Sequence, residues 1–534
     1  MADLYVYFFE QGLRLLRPGG RLSYVVTNKW LRAGYAEALR GLFATEGQVE
    51  FVADFGHAKH FFPDADVFPS IVVLRKPLPG EDAMGDAQIC VIPRDAVPEK
   101  GLSAAVAAAT YPLPRACFTK ESWTLEPPDV MALLDKIRRN GVPLAEYTTV
   151  KSYRGVTTGL NEAFFLDTPT RNRLVAEDPG CAEIIRPYLR GQDIERWYAP
   201  WDRLWMIFAR RGINIEAYPS VLRHLQGFRD RLEPKPSDWE PSGPEEIWKG
   251  RKEGLYRWYE IQDSTEYFIE FEKPKIIYQA IQFYPSYAFD TRGMLLSNKA
   301  FFLPVDDTSL ISVLNSPIGW WIAWRHFLHM KDEALSNDGV KLATFSVPVE
   351  LSKQSQEIAL HAVGLPSLAE TIHSTTQLIH DWLRHEFGLD RPGRRLAQPH
   401  TLSSDEFIAS VRAALAKNRK LTSAEIARLK EEHAGTVEPA REAAAEMLTH
   451  ERALSDLVNA AYGLTPQEVG LMWRTAPPPH AARSPDGTTP ARCGQLAPEA
   501  ADTALRKATA LESFCFVLIC RTEMRCGSGD VTVK

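Results

Sequence analysis

The chain has 534 residues, of which 45% are hydrophobic and 24% charged, a balance typical of a globular protein that folds in water. A chain of this length fits roughly two to four domains. The formal net charge is −6, so overall charge gives no sign of nucleic-acid binding, and any contact with DNA must come from a local basic patch.

The sequence also carries information about the cellular compartment. Its first residues lack the basic and apolar pattern of a signal peptide, and no apolar run approaches the roughly 18 residues that a membrane-spanning helix needs. The seven cysteines show no CxxC spacing, which argues against a zinc site and favours reduced thiols. We therefore expect a cytoplasmic protein.

The first 95 residues alternate helix and strand. Residues 2–17 place apolar side chains at helical spacing, and Pro18-Gly19-Gly20 ends this helix because proline cannot continue it and glycine accepts a positive φ. The strands that follow are almost continuously apolar, so we expect an open α/β sheet that is buried on both faces. Ligands bind such sheets at the carboxyl ends of strands. The predicted strands lie at 21–27, 49–56, 70–76 and 88–93.

Two regions of different composition follow the predicted sheet. Residues 96–141 turn to alanine, proline and charged residues, which predicts a connector with one possible helix at 128–140. Residues 142–350 are aromatic and contain short strand-like runs separated by Gly, Pro and Asn. This pattern predicts a β-rich mixed domain.

The last two predicted regions are helical and disordered, respectively. Residues 351–472 are predicted to be helical, with capping boxes at Thr422 with Glu425 and at Thr465 with Glu468. Residues 473–534 contain too many Pro, Ala and small polar residues to form a core, so we expect a disordered tail. The predicted fold class is α/β plus α+β.

The usual catalytic and metal-binding motifs are absent from the sequence, including GxGxxG, GxxxxGK[ST], HExxH and GxSxG. His57 and His60 have no carboxylate or cysteine at ligand spacing, so we expect no metal site. Asp64 and Asp66 are a possible acid–base pair, although an exposed loop between strands explains them more simply.

Several longer motifs occur in a fixed order along the chain. DLYVYFFEQGLRLLRPGGRLSYVVTNKWLRAGY and ADFGHAKHFFPDADVFPSIVVLRK lie in the first 76 residues. YRGVTTGLNEAFFLD, EIIRPYLRGQDIERW, KPKIIY and SNKAFFLP follow between residues 153 and 304. The first group resembles the second half of the catalytic domain of adenine-specific DNA methyltransferases, the C-terminal half of a Rossmann-like sheet. The second group resembles their TaqI-like C-terminal specificity domain.

This resemblance implies an activity, and it also shows which motifs of that activity the sequence lacks. The family flips an adenine out of the DNA duplex and transfers a methyl group to it from S-adenosylmethionine. It uses an Asn-Pro-Pro-aromatic motif and a glycine-containing cofactor turn, and this sequence contains neither. We therefore expect an N-terminally truncated member that holds mainly the DNA-recognition part, binds no cofactor alone and is inactive alone. An upstream-encoded methyltransferase fragment or a restriction subunit would be its partner, beside double-stranded DNA. The alternative is a stand-alone DNA-binding specificity protein or an inactive remnant.

The resemblance also suggests where the catalytic part meets its ligands, although none of its catalytic motif residues is present. Phe62 matches the family aromatic that stacks on the flipped base, with a core phenylalanine as the alternative and Phe61 competing for the register. Asp3-Leu4-Tyr5 matches the rim of the cofactor pocket, or is simply a helix start. Asn28-Lys29-Trp30 leaves the carboxyl end of the first strand, where a capped turn is the simpler interpretation.

The candidate DNA-binding residues lie in the motifs of the specificity domain. Cations and hydroxyls beside glycines suit contact with phosphates, because the backbone can approach closely. For each of these residues taken alone, an ordinary solvated charge or an ion pair is the simpler interpretation. Trp320, Trp321 and Trp324 are expected to be core residues. The candidates are Lys151, Arg154, Thr157, Thr158, Arg190, Lys275 and Lys299.

Overall fold

The computed structural model describes residues 3–477 except for residues 57, 59–60, 63, 66, 82–84, 93–96, 99, 242, 244–245, 331–333, 394 and 416–418. The chain divides into two compact units. The described residues of the first unit fall within 3–137, 324–335 and 465–477, and those of the second fall within 138–323 and 336–464. Within the described ranges, no helix is both long and apolar enough to cross a membrane.

A five-stranded sheet forms the centre of the first unit, in the order β1-β3-β2-β4-β5. β3 is antiparallel to both β1 and β2, and β4 is parallel to β2. β1, β2 and β4 therefore end at the same edge of the sheet. The strands are β1 Arg21–Thr27, β2 Gln48–Asp54, β3 Pro69–Arg75, β4 Asp86–Val91 and β5 Thr110–Pro114.

Helices cover both faces of β2 and β3, which explains why these two strands have no exposed residue, whereas β1 and β4 each contain three exposed residues and depart from the predicted burial on both faces. Phe9 of α1 and Phe43 of α2 pack on one face with Val52 and Val72, whereas Val106 of α3 packs on the other with Cys90. The helices are α1 Leu4–Leu15, α2 Glu37–Glu46, α3 Leu102–Ala109 and α4 Pro128–Arg139.

The structure differs from the predicted connector at residues 96–141. This segment contains α3, α4 and β5, and β5 pairs antiparallel with β4 from Thr110 to Pro114. The reason is that Leu113 points into the core beside Ala87 and Ile89, although its neighbours are polar or proline. A single buried side chain in so short a strand gives little periodicity in the sequence.

Short strands separated by long loops build the centre of the second unit, and the whole chain is a mixed α/β structure. Two four-stranded sheets have the orders β14-β9-β10-β8 and β13-β11-β15-β7, and β18 pairs with β6. The remaining strands in chain order are β6 Gly141–Pro143, β7 Tyr153–Arg154, β8 Phe165–Leu166, β9 Ile185–Leu189, β10 Trp205–Ile207, β11 Lys275–Gln279, β12 Ile281–Gln282, β13 Tyr287–Asp290, β14 Leu295–Leu296, β15 Ala300–Leu303, β16 Leu328–His329, β17 Leu335–Ser336 and β18 Ser346–Pro348.

Helices account for most of the described chain after residue 350. The capping boxes predicted at Thr422 and Thr465 are confirmed, because each threonine accepts the backbone N–H of a glutamate that in turn accepts the backbone N–H of that threonine. The remaining helices are α5 Leu144–Thr148, α6 Asn161–Phe164, α7 Thr168–Glu177, α8 Pro219–Gln226, α9 Arg229–Leu232, α10 Thr308–Asn315, α11 Pro317–His326, α12 Gly339–Ala343, α13 Ser355–Ala362, α14 Leu365–Phe387, α15 Ser404–Ala414, α16 Ser423–Glu432, α17 Glu438–Ala461 and α18 Pro466–Arg474.

Other sequence expectations can be compared with the described residues. Trp320 and Trp321 are buried, as predicted for core residues, and Trp324 is partly buried. The free thiols include Cys90, Cys117 and Cys181. His57, His60 and Asp66 lie outside the described residues, as does the tail from residue 478. Asp64 is exposed, in agreement with a loop between strands.

Candidate functional site

A polar pair lies at the carboxyl edge of the five-stranded sheet in the first unit. Asn28 follows the last residue of β1, and Asp54 is the last residue of β2. The side-chain amide of Asn28 donates to both carboxylate oxygens of Asp54, at 3.0 and 3.1 Å. The backbone N–H of Gly56 donates to the same carboxylate at 3.0 Å. Asn28 begins a 3₁₀ turn but uses its side chain to join two strands.

Burial dominates the electrostatics of Asp54. It raises the pKa of the carboxyl group above its ordinary value, whereas the hydrogen bonds from Gly56 and Asn28 and the nearby charge of Arg32 act in the opposite direction. His329 also lies close enough to lower the pKa. Asp54 therefore combines a partly desolvated carboxyl group with several donors, at the edge where α/β sheets bind ligands.

The residues matched to a cofactor rim lie at the same edge. α1 runs antiparallel to β1, since Phe9 contacts Tyr24, whereas a Cβ on the later residue Gly12 would lie 3.0 Å from the earlier residue Leu22. Asp3 accepts a hydrogen bond from the backbone N–H of Leu4, and the hydroxyls of Tyr5 and Tyr35 are 2.7 Å apart. These residues form the start of α1, which lies beside the carboxyl end of β1.

Two adjacent phenylalanines in the loop between β2 and β3 face different surroundings. Phe61 packs edge-on against Phe55, with ring centroids 5.4 Å apart, whereas Phe62 is 43% exposed. Phe62 is thus available to an external ring, and Phe61 is not. Its stacking on a base stays a prediction.

In the second unit, three of the sequence motifs meet around two glycines. A Cβ atom on Gly155 would lie 2.0 Å from the carbonyl oxygen of Ser297, and one on Gly191 would lie 2.6 Å from that of Lys299. The N–H of Gly155 donates to Ala300 O at 2.9 Å, and the N–H of Gly191 donates to the hydroxyl of Ser297 at 3.0 Å. We call Gly155, Gly191 and the turn Ser297–Lys299 the glycine cluster.

Two exposed cations border the glycine cluster. Arg154 precedes Gly155 and donates through Nε to the carbonyl oxygen of Asn298 at 2.9 Å. Lys299 is exposed on the same turn. Across the described part of the chain, neither Arg154 nor Lys299 has a carboxylate within ion-pair distance. Both charges are therefore available to an external anion.

Two other candidate cations have partners within the protein. Arg190 donates to both oxygens of Asp193 and forms an ion pair with Asp202, so much of its charge is neutralised. The exposed Lys151 lies over the ring of Tyr153, with 5.1 Å from Nζ to the ring centroid. This contact leaves its ammonium group in solvent.

The structure contradicts the DNA-binding prediction for Lys275. Its side chain is completely buried at the start of β11 and pairs with the equally buried Asp290, with Nζ 2.6 Å from Oδ2. Burial lowers the pKa of this lysine in spite of the carboxylate. Lys275 is a core ion-pair residue because the first four residues of β11 are all buried and Asp290 lies opposite it on the paired strand β13.

The two threonines of the glycine motif are also held internally. Thr158 is 1% exposed, its hydroxyl donates to Asn161, and its carbonyl accepts from the buried Arg251 at 2.9 Å. This corrects the prediction that Thr158 contacts DNA. Thr157 is only partly buried, and its backbone N–H donates to Asp263 at 2.7 Å. A phosphate contact by Thr157 stays a prediction.

Sequence reasoning missed Asp54 as a site residue. The strand that ends in Asp54 was predicted, and a polar residue at a strand's carboxyl end is the signal that singled out Asn28. Applying that signal to both strands would have found the pair.

Two family models match parts of the chain. Residues 1–62 match the Eco57I restriction-modification methylase, and residues 351–458 match a domain of unknown function, DUF8810. The chain is 27% identical over 242 residues to the type II methyltransferase M.PaeR7I of Pseudomonas aeruginosa, and 26% identical over 239 residues to M.XhoI of Xanthomonas vasicola. The matched parts of the chain are therefore similar to restriction-modification DNA methyltransferases.

The similarity covers only part of this chain and only part of each methyltransferase. The matches cover 43% and 42% of this chain and 40% and 42% of the respective relatives, so the chain spans less than half the length of each. Among solved structures, the chain is similar to the type IIL restriction-modification enzyme MmeI in complex with DNA, with a TM-score of 0.47 and 12% identity over 88% of this chain and 51% of that chain. For the type IIG restriction endonuclease BpuSI the TM-score is 0.28, with 12% identity over 86% and 49%. TM-scores this low do not establish a common fold.

Proposed function

We propose that this chain carries the DNA-recognition part of an adenine-specific restriction-modification methyltransferase, and that methyl transfer requires catalytic residues that the chain lacks. The glycine cluster is the observation that carries this proposal. Three motifs that resemble the specificity domain, and that lie far apart in the sequence, meet there with Arg154 and Lys299 exposed beside them. Closely packed backbone and unpaired cations suit the sugar–phosphate backbone of double-stranded DNA.

Binding to duplex DNA is the direct test of this proposal. Fluorescence anisotropy with a mixed-sequence duplex of about 30 base pairs should give a dissociation constant that weakens steeply between about 50 and 200 mM salt, because phosphate contacts release counterions. Arg154→Ala should weaken binding. Arg173→Ala is the matched control, since Arg173 is exposed on α7 of the same unit and is paired with Glu177. No binding at low salt would contradict the proposal.

The first unit supports the proposal that methyl transfer requires residues that the chain lacks. S-adenosylmethionine needs a glycine turn as well as a rim, and the sequence contains no such turn of the family type. Asp3 accepts from the N–H of Leu4, Tyr5 contacts Tyr35 and Asp54 accepts from Asn28, and these three contacts do not make a complete cofactor site. We therefore expect isothermal titration calorimetry to detect no S-adenosylmethionine binding to the chain alone. Tight binding would contradict the proposal that the cofactor site is incomplete, but it would not contradict DNA recognition by the chain.

α1 has a second apolar face, which fits a role for additional polypeptide. Val6, Phe9 and Leu13 point into the core, yet Leu4, Phe8 and Leu15 form an exposed stripe on the opposite side of the same helix. β1 is also an edge strand of the five-stranded sheet. Helices that are apolar on two sides are usually buried on both. A segment that supplies the cofactor turn and the Asn-Pro-Pro-aromatic motif would cover this face.

A stand-alone DNA-binding specificity protein is the second candidate function. The absence of both catalytic motifs from all 534 residues favours it. The two candidates differ in one result: methylation of adenine should appear on addition of a polypeptide that supplies the missing motifs if the first is right, and never if the second is right.

A further inference from the structure

Two long helices of the region matched by the domain of unknown function contact four consecutive residues at the end of one recognition motif. The motif EIIRPYLRGQDIERW ends at Trp197, and the contacted segment Glu195–Tyr198 comprises its last three residues and the residue that follows. His373 on α14 pairs with Glu195 at 3.3 Å, and Glu370 on the same helix accepts a hydrogen bond from the Tyr198 hydroxyl at 3.2 Å. All of these contacts lie inside the second unit.

Glu451 of α17 contacts the two residues that lie between Glu195 and Tyr198. Its Oε1 accepts a hydrogen bond from the indole N–H of Trp197 at 2.8 Å and lies 3.1 Å from Nη2 of Arg196. Glu451 is 8% exposed, and Trp197 is 4% exposed. A buried carboxylate in the middle of a helix costs desolvation energy, which a cation and a polar N–H offset here.

Trp197 has a backbone conformation that needs such support. Its φ is +69°, in the left-handed region that bulky residues avoid, although the residue is not glycine. A residue persists in this region only where its surroundings hold it there, and such residues cluster at functional sites. The N–H of Trp197 donates to Tyr287 O at 2.9 Å, so its backbone and its indole are both fixed.

The same loop carries the residues of the glycine cluster. We define residues 190–198 as the recognition loop. It begins with Arg190, Gly191 packs on the backbone of Lys299, and Asp193 binds both the backbone and the side chain of Arg190. Gln279 donates to the carbonyl of Ile194 at 2.6 Å. A change at Trp197 would therefore be transmitted along a short, hydrogen-bonded loop to the cations beside the cluster.

We propose that α14 and α17 hold the recognition loop in the conformation that binds DNA, with Glu451 as a positioning residue. This inference rests on the proposed DNA-binding function and assigns a role to the region matched by the domain of unknown function. Glu451 acts through Trp197 and Arg196 and does not itself contact DNA. A glutamate with a purely structural role would change the stability of the chain but not the DNA affinity of the folded chain.

Two substitutions separate positioning from simple stability. Glu451→Gln keeps an oxygen acceptor for both partners, whereas Glu451→Leu keeps the approximate volume and removes the acceptor. Glu446→Gln is the control, because Glu446 lies on the same helix and its side chain is 63% exposed. We expect Glu451→Leu to weaken binding to a mixed-sequence duplex about tenfold. Glu451→Gln should stay within about threefold of the unaltered chain, and the control should not change.

Hydrogen–deuterium exchange of the full chain without DNA supplies the second measurement. Peptides that cover the recognition loop should exchange faster in Glu451→Leu than in the unaltered chain. In Glu451→Gln their exchange rate should equal that of the unaltered chain. If Glu451→Leu fails to fold, His373→Gln removes the contact to Glu195 from α14 and should also speed exchange in the loop.

The outcomes distinguish the inference from the function on which it rests. Unchanged DNA affinity and unchanged loop exchange in folded Glu451→Leu would overturn the inference while leaving DNA binding intact. Absence of DNA binding by the unaltered chain would overturn the proposed function, and faster loop exchange in Glu451→Leu would then still support the holding of the loop by α17.

Discussion

The side-chain amide of Asn28 donates to both carboxylate oxygens of Asp54 and thereby joins the carboxyl ends of two strands that are not neighbours in the sheet. Asn28→Leu should destabilise the first unit by about 1–3 kcal/mol, because a partly buried carboxylate loses two hydrogen bonds. Urea unfolding measures this change. Loss of the amide should also raise the pKa of Asp54 further, since the hydrogen bond from Asn28 lowers it. An unchanged unfolding midpoint would show that solvent replaces the amide.

The buried pair of Lys275 and Asp290 should be a major contributor to the stability of the second unit. Lys275→Met should cost about 3–5 kcal/mol, because it removes the buried cation from Asp290 and leaves only the half-exposed Arg292, 3.6 Å away, as an ion-pair partner. Lys275→Met with Asp290→Leu should recover part of this loss in thermal unfolding. At a temperature where Lys275→Met is folded, its DNA affinity should equal that of the unaltered chain. A selective loss of DNA binding would reinstate Lys275 as a DNA contact.

Gly155 should tolerate no side chain. In Gly155→Ala the new Cβ would lie 2.0 Å from the carbonyl oxygen of Ser297, so the turn must move, at a cost of at least about 1–3 kcal/mol. Gly364→Ala is the control, because a Cβ there meets no atom within 4 Å. We expect weaker DNA binding and a lower melting temperature for Gly155→Ala only. Equal behaviour of the two variants would contradict the close packing of the glycine cluster.

The contact between His373 and Glu195 should make the recognition loop sensitive to pH. The hydrogen bond to Glu195 raises the pKa of His373 above its ordinary value, and Asp202 acts in the same direction. A raised histidine pKa gives stability that is fully present below the unfolded-state pKa and is lost as the pH rises through the folded-state pKa.

The expected effect is small, because both side chains are partly exposed and solvent screens the pair to at most about 1 kcal/mol. Unfolding at pH 6 and pH 8, in the range where histidine titrates, should show the contribution at the lower pH only. His373→Gln should remove the difference. A stability difference that survives this substitution would assign it to another group.

Features set by neighbouring residues could be predicted from the sequence. β1 was predicted at 21–27 and lies at Arg21–Thr27, since Pro-Gly-Gly ends the preceding helix and the segment is rich in β-branched and aromatic residues. The capping boxes at Thr422 and Thr465 were found because both of their partners lie within four residues.

Features set by distant residues could not be predicted. Lys275 looks like a surface cation until Asp290 is placed beside it across two strands. Glu451 lies three and seven residues before the buried Leu454 and Val458, so its spacing places it on the buried face of α17. Its partner Trp197 is 254 positions away in the sequence, and no local pattern predicts that contact. The positive φ of Trp197 has no signal in residue type, because glycine or asparagine is usual there.

The salt dependence of DNA binding by Arg154→Ala combined with Lys299→Ala tests the central claim most directly. If these two exposed cations contact phosphates, the slope of log affinity against log salt should become shallower by about 2, and Arg173→Ala should leave it unchanged. An unaltered slope in the folded double variant would contradict a DNA interface at the glycine cluster.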